Sequence, residues 1–227
     1  YLGSGASITD VRRIYSGYLT TQVRTATALD SDAQTYLTQI SQVNSLLADS
    51  TTGITAVMEN FFAALQTAAA SPTDTASRQL LLTQASTLGE RFNSIYSQLA
   101  EQNGYINQQL SSMVQQVNSL AASVAQYNQA IVNASASGAS PNDLLDQRDE
   151  AVRELSELIG VTVVEQDGSY NLFIGNGQPL VVGGSAAQLS AVPSADDPSR
   201  YALHLTQNGN FTIDVTSSIT GGQIGGL

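Results

Sequence analysis

Cysteine, tryptophan and lysine are absent from these 227 residues, and histidine occurs once. Without cysteine there is no disulfide framework, no thiolate metal site and no thiol nucleophile. A single imidazole, His204, excludes a multi-histidine metal site. It lies in an alternating segment with Tyr201, Leu203 and Leu205 on one face, and it reads as a surface strand histidine because nucleophile, base and orienter must occur together. All eight basic residues are arginines, set against 19 acidic ones, for a net charge of -11 and a pI near 4.2. Such a balance argues against nucleic acid, whose affinity comes from cationic contacts to phosphate, and against anionic membrane surfaces. No apolar run reaches the roughly 20 residues that cross a bilayer. The first residues, Tyr1-Leu2-Gly3-Ser4-Gly5, lack the charged and apolar regions of a secretory signal. With no initiator methionine, the sequence reads as excised from something longer.

With 42% hydrophobic and only 12% charged residues, the chain can bury a real core. Its composition changes near Gly160. Before that point Ala, Leu, Gln, Ser and Thr recur at helical spacing; after it come short alternating runs separated by Asp-Gly, Asn-Gly and Gly-Gly turn signals. The fold class expected is α+β: an elongated antiparallel helical bundle with long helices over residues 1–160, then a small antiparallel β-hairpin or meander module over 161–220. Residues 221–227 form a glycine-rich start of a return to the helical domain.

A first helix is predicted from an N-cap at Thr9 or Asp10 to about Leu47, with a seam of Val11, Tyr15, Tyr18, Leu29, Ala33, Tyr36, Ile40, Val43 and Leu47. Gly53 separates it from an amphipathic stretch carrying Ile54, Val57, Met58, Phe61, Phe62 and Leu65. Ser71-Pro72 supplies an N-cap and a first-turn proline for a long helix whose seam runs from Leu81 through Phe92, Leu99, Leu110, Val117 and Val124 to Ile131. Such a helix of roughly 60 residues is about 90 Å long, with a bend or change of winding expected beside Gly104. The two long staves are expected to lie side by side along their apolar edges. Ser140-Pro141 repeats the N-cap and proline pattern for a last helix ending near Ile159, with Gly160 as its left-handed cap. Strands are expected over 161–165, 170–174, 179–182, 201–205 and 211–215 as one meander.

The densest polar constellation is Asp143, Asp146, Asp149, Glu150, Glu154 and Glu157 with Arg148 and Arg153. A hydrolase pair must face across a cleft, and a calcium loop needs its oxygens on a turn. Along a helix, these side chains read instead as a solvated face with weak i,i+4 pairs, Asp149 to Arg153 and Arg153 to Glu157. The glycine-rich runs 175–179 and 221–226 lack the context of a phosphate loop and read as turns. No catalytic, cofactor-binding or metal residue is assigned. Arg12, Arg13 and Arg24 make the first helix basic while the last is acidic, so Arg12, Arg13, Arg24, Asp143 and Asp149 are the candidates for contact between identical copies.

Several stretches resemble the hook-associated proteins of the bacterial hook-filament junction: Gly3-Ser4-Gly5 leading to Val11-Arg12-Arg13, then Phe61-Phe62-Ala63-Ala64-Leu65, and residues 78–92. The most specific runs from Ser140 to Gly183, SPNDLLDQRDEAVRELSELIGVTVVEQDGSYNLFIGNGQPLVVG. Ala191-Val192-Pro193 and Gly221-Gly222-Gln223-Ile224-Gly225-Gly226-Leu227 follow it. The resemblance implies a rod-shaped, non-enzymatic subunit without cofactors, exported unfolded through the flagellar secretion channel and assembled outside the cell. The implied partners are copies of itself in a junction ring, the hook protein, the adjacent junction protein, and an export chaperone acting through a C-terminal segment beyond this sequence; nucleic acid and membrane are not among them. The terminal helices that such proteins pair inside the tube are missing at both ends, so this piece is expected not to polymerise and to be a monomer or weak dimer. The competing readings are a ligand-sensing helical receptor-type module, which needs a pocket between helices, and a hydrolase using carboxylates of 143–157.

Overall fold

The computed structural model describes residues 13–47, 53–138, 140–207, 209 and 211–227. Its spine is the 62-residue helix Thr75–Ala136, which we call α3. Leu, Gln, Ala and Ser sustain it, and it stays α-helical through Gly104, where a bend was expected. Asp74 caps it, accepting from the amides of Ala76 at 3.4 Å and Ser77 at 3.0 Å. Ser71 instead ends the preceding helix, and its carbonyl accepts from the Asp74 amide at 3.1 Å. The expected Ser71-Pro72 cap is therefore displaced: a carboxylate that takes two orphan amides at the positive helix end is the stronger capping group. The Ser77 hydroxyl and these amides hold the Asp74 carboxyl below its usual range.

Helix α1 spans Gly17–Leu47 and α2 Ile54–Ala70. The start expected at Thr9 or Asp10, with Val11 of the seam, lies outside the described residues. Helix α2 folds back on the first half of α3, while α4, Asn142–Leu158, packs on its second half. Its N-cap is Pro141, one residue later than expected, and no side chain caps it. Helix α1 departs most from expectation. It rests chiefly on α4 and on the C-terminal turn, and meets α3 through Gln39, Gln42 and Gln102. The two long staves are not joined by apolar edges: Tyr18, Leu29, Tyr36 and Ile40 of the expected seam are 72%, 62%, 56% and 43% exposed.

The β part forms two sheets, not one meander. Strands β1 Val161–Gln166, β2 Ser169–Ile174, β3 Gln178–Val182 and β4 Ser185–Ala186 make the first; β5 Gln188–Pro193, β6 Tyr201–Gln207 and β7 Phe211–Asp214 make the second, all antiparallel. At the β1–β2 turn, Asp167 has φ 51° and Gly168 φ 77°, the signs a type I′ hairpin requires. A 3-10 turn Thr216–Ser218 and a short helix α5, Gly222–Gly225, close the described chain. One continuous core joins Val117 and Val124 of α3, Val152 and Leu155 of α4, Leu172 and Leu180 of the first sheet, and Leu189 and Leu205 of the second. His204 is half-buried on β6 opposite Asp214, and Leu203 and Leu205 are buried beside it.

Candidate functional site

The most elaborate polar arrangement lies where α3, α4, α1 and β2 meet. Along α4, steps of four, four, three and four place Leu144, Arg148, Val152, Leu155 and Ile159 on one face, so the sequence itself puts Arg148 on the apolar side. Arg148 is 1% exposed. Its Nη1 donates to Gly168 O at 2.7 Å and to Asn128 Oδ1 at 3.1 Å, and its guanidinium lies 3.6 Å from the Tyr170 ring centroid. Burial lowers its pKa from the usual arginine value, opposed by the charge of Asp149. It remains a cation at neutral pH.

Three asparagines of α3 act on strand backbones as a neighbouring strand would. Asn128 accepts from the Tyr170 amide at 2.9 Å and donates to Tyr170 O at 2.8 Å. Asn118 does the same to Leu189, at 2.8 Å each way. Asn107 accepts from the Tyr201 amide at 3.1 Å and donates to Ser199 O at 2.7 Å. Asn128 and Asn118 satisfy buried or half-buried backbone groups that would otherwise be costly to desolvate, and Asn107 does so for the Tyr201 amide, while the Ser199 carbonyl is exposed. Asn118 in this way fixes β5, a strand whose Gln-Leu-Ser-Ala composition gave little sign of itself.

On the opposite side of α4, Asp149 receives Arg24 Nη2 at 2.7 Å on Oδ1 and Arg13 on Oδ2, while Arg13 Nε also lies 2.7 Å from Asp146. Desolvation opposes the charged form of Arg13, but the hydrogen bond and charge of Asp149 outweigh it and raise its pKa. The Tyr15 and Tyr170 hydroxyls are 3.0 Å apart. Arg13, Leu19, Val23, Arg24, Asp149 and Arg153 border an open recess of about 330 Å³ here.

Burial, the hydrogen bond to Tyr15 and the charge of Asp149 all push the Tyr170 hydroxyl pKa up from 10. Because the folded value is the higher one, this group stabilises the fold below the unfolded tyrosine pKa of about 10, and the contribution is lost as pH rises toward the folded value. We expect Tyr170 to stay un-ionised until alkaline unfolding in a tyrosinate absorbance titration. Tyr170→Phe should remove that late titration.

A second seat for α1 is made of glycine. Gly221 N donates to Asp32 Oδ2 at 3.0 Å, and a Cβ on Gly226 would strike Asp32 O and come within 2.9 Å of Thr35 Cβ. Gly160 was expected to be a left-handed cap. Instead α4 ends on the extended Ile159, Gly160 N donates to Gly221 O at 3.1 Å, and a Cβ on Gly160 would strike Thr220 O. The glycine is there for close backbone approach.

Among the contact candidates, Arg13, Arg24 and Asp149 come together within the chain. Asp143 is exposed in the first turn of α4, and Arg12 lies outside the described residues. The expected Asp149–Arg153 pair does not form, because Asp149 faces α1; Arg153 pairs with Glu150 and Glu157 on the exposed side. Arg148, read as part of that solvated face, is in the core. Asn107, Asn118, Asn128, Asp32 and Tyr170 were not singled out; for Asn128 the signal was its place in the buried series Val117, Ala121, Val124, Asn128, Ile131. Among the described residues no three His, Asp or Glu side chains converge as a metal site requires, and no helix is long and apolar enough to cross a membrane.

These features can be set beside known proteins. Flagellar hook-associated protein 1 of Salmonella typhimurium is 37% identical over 231 residues, covering 100% of this chain and 42% of the relative. The Escherichia coli protein of that name is 35% identical over the same span, and the Bacillus subtilis one 27% identical over 176 residues, 77% of this chain. The chain thus spans less than half the length of these relatives. The solved structure of the flagellar hook junction protein FlgK from Burkholderia pseudomallei agrees with a TM-score of 0.81 at 37% identity, over 90% of this chain and 38% of that one. Residues 40–227 match the model of the flagellar hook-associated protein FlgK helical domain, and the chain belongs to that family of flagellar hook-associated proteins.

Proposed function

We propose that this chain is the body of a non-enzymatic structural subunit that joins hook to filament in the bacterial flagellum, outside the cell. One observation carries the reading beyond family membership. The long helices keep large apolar side chains on their outer surfaces, among them Leu29, Tyr36, Leu37 and Ile40 of α1 and Phe92 and Tyr96 of α3. A monomer seldom leaves such a row uncovered. Lateral packing against copies of itself, the hook protein and the adjacent junction protein would cover it, with an export chaperone engaging sequence beyond this chain. The exposed Asp143 is the part of the charged contact set best placed to face a neighbour, since Arg13, Arg24 and Asp149 hold one another.

The test is genetic. A strain lacking the full-length protein is expected to shed unpolymerised filament protein into the medium and not to swim, and the intact gene should restore both. Normal swimming by the deletion strain would overturn the junction role.

A further inference from the structure

We infer that α1 is a releasable arm latched by the single carboxylate of Asp149, with Asp32 as a second, weaker hold. Of the 31 residues of α1, only Arg24 and Ala28 are buried. Arg24, Ala28, Asp32 and Thr35 follow one another at helical spacing along its inner face, and none is a large apolar residue. Ala28 is buried and Val43 and Leu46 are half-buried, while Tyr18, Leu29, Tyr36, Leu37 and Ile40 are exposed. Little hydrophobic burial therefore holds this helix to the other described residues. Its attachment is mainly polar: Arg24 and Arg13 on Asp149, Arg13 on Asp146, Gln102 on Gln39 and Gln42, the Tyr15–Tyr170 hydroxyl contact and the Gly221 amide on Asp32.

Helix α4 differs in kind. The core that joins α4 to α3 and to both sheets is apolar and contains no residue of α1. Adjacent residues of α4 thus serve opposite purposes, Arg148 inward to β2 and α3, Asp149 outward to α1. Two cations share one carboxylate, so losing its charge weakens both contacts at once, leaving Arg13 its pair with Asp146 and stranding the buried Arg24 without its counter-charge. The α3, α4 and sheet core touches the latch at Tyr170, over whose ring the Arg24 guanidinium stands at 5.4 Å. The inference concerns the conformation of the chain and does not depend on the junction role.

Hydrogen exchange of the whole 227-residue chain tests it. In Asp149→Asn and in Arg24→Gln, amides across Gly17–Leu47 are expected to exchange about tenfold faster or more, while those of β2 and of α3 beyond Leu110 keep wild-type protection. Arg153→Gln, which breaks ion pairs on the exposed face of α4, should leave both regions unchanged. Arg24→Gln acts from the α1 side and leaves α4 intact, so it decides the matter should Asp149→Asn fail to fold. Unaltered α1 exchange in both variants overturns the latch. So does a parallel loss of protection in α1 and the core, which would mean one cooperative unit and no separable arm.

Discussion

Gly222→Ala is expected to cost about 4 kcal/mol of stability, read as a shift of the urea midpoint by circular dichroism. Two independent effects add. The residue sits at φ 69°, a conformation that costs an L-residue about 1–2 kcal/mol. A Cβ there would strike Ile159 N and Leu158 C and stand 2.6 Å from Ile159 Cα. All three are backbone atoms of the α4 terminus, so no rotamer change relieves the overlap, and forced repacking of this kind costs about 1–3 kcal/mol. The same substitution at Gly104, midway along α3 with nothing within 4 Å of the added methyl, should instead gain about 0.5–1 kcal/mol by helix propensity. Opposite signs from one chemical change would show that the glycine-rich turn is a packing device and not a flexible tail. A Gly222→Ala variant within about 1 kcal/mol of wild type would remove that role.

What the sequence made legible was what its neighbours decide locally. The extent of α3 follows from a sustained apolar period, and the β1–β2 hairpin from Asp167-Gly168, because both signals lie within a few residues of their effect. Helix α1 was legible in existence and not in orientation. Its apolar series, Tyr18, Leu29, Tyr36 and Ile40, is left exposed by the described residues, and the face that docks carries Arg24, Ala28 and Asp32 because their partners are a carboxylate and glycine backbone. Hydrophobic periodicity cannot report a seam that contains so little hydrophobicity. Strand β5 was missed for a related reason: the register with β6 and the Asn118 amide hold it, both distant in sequence. Arg148 was readable in principle. Spacing placed it among Leu144, Val152 and Leu155, and the charge of its neighbours obscured that position.

Replacing that residue gives the other large effect. Arg148→Met keeps most of the side-chain volume and removes the guanidinium, and we expect a loss of about 3 kcal/mol. The bonds to Gly168 O and Asn128 Oδ1 are charge-assisted and worth about 1.5–3 kcal/mol each, and a desolvated cation on the Tyr170 face adds about 2 kcal/mol. Against them stands the recovered desolvation of a buried charge, several kcal/mol, made larger because Arg148 Nε finds no hydrogen-bond partner among the described residues. The balance still favours arginine, because methionine would leave the Gly168 carbonyl without this donor at a hairpin whose φ angles are already demanding. Arg148→Lys should fall between the two, since an ammonium cannot reach both acceptors and lie flat on the ring. A double-mutant cycle with Asn128→Ala should show coupling of about 1–3 kcal/mol in urea unfolding. Were Arg148→Met as stable as wild type, the polar contacts would only offset the desolvation, and the joint between α4 and β2 would be held by Val152, Leu155 and Leu172 alone.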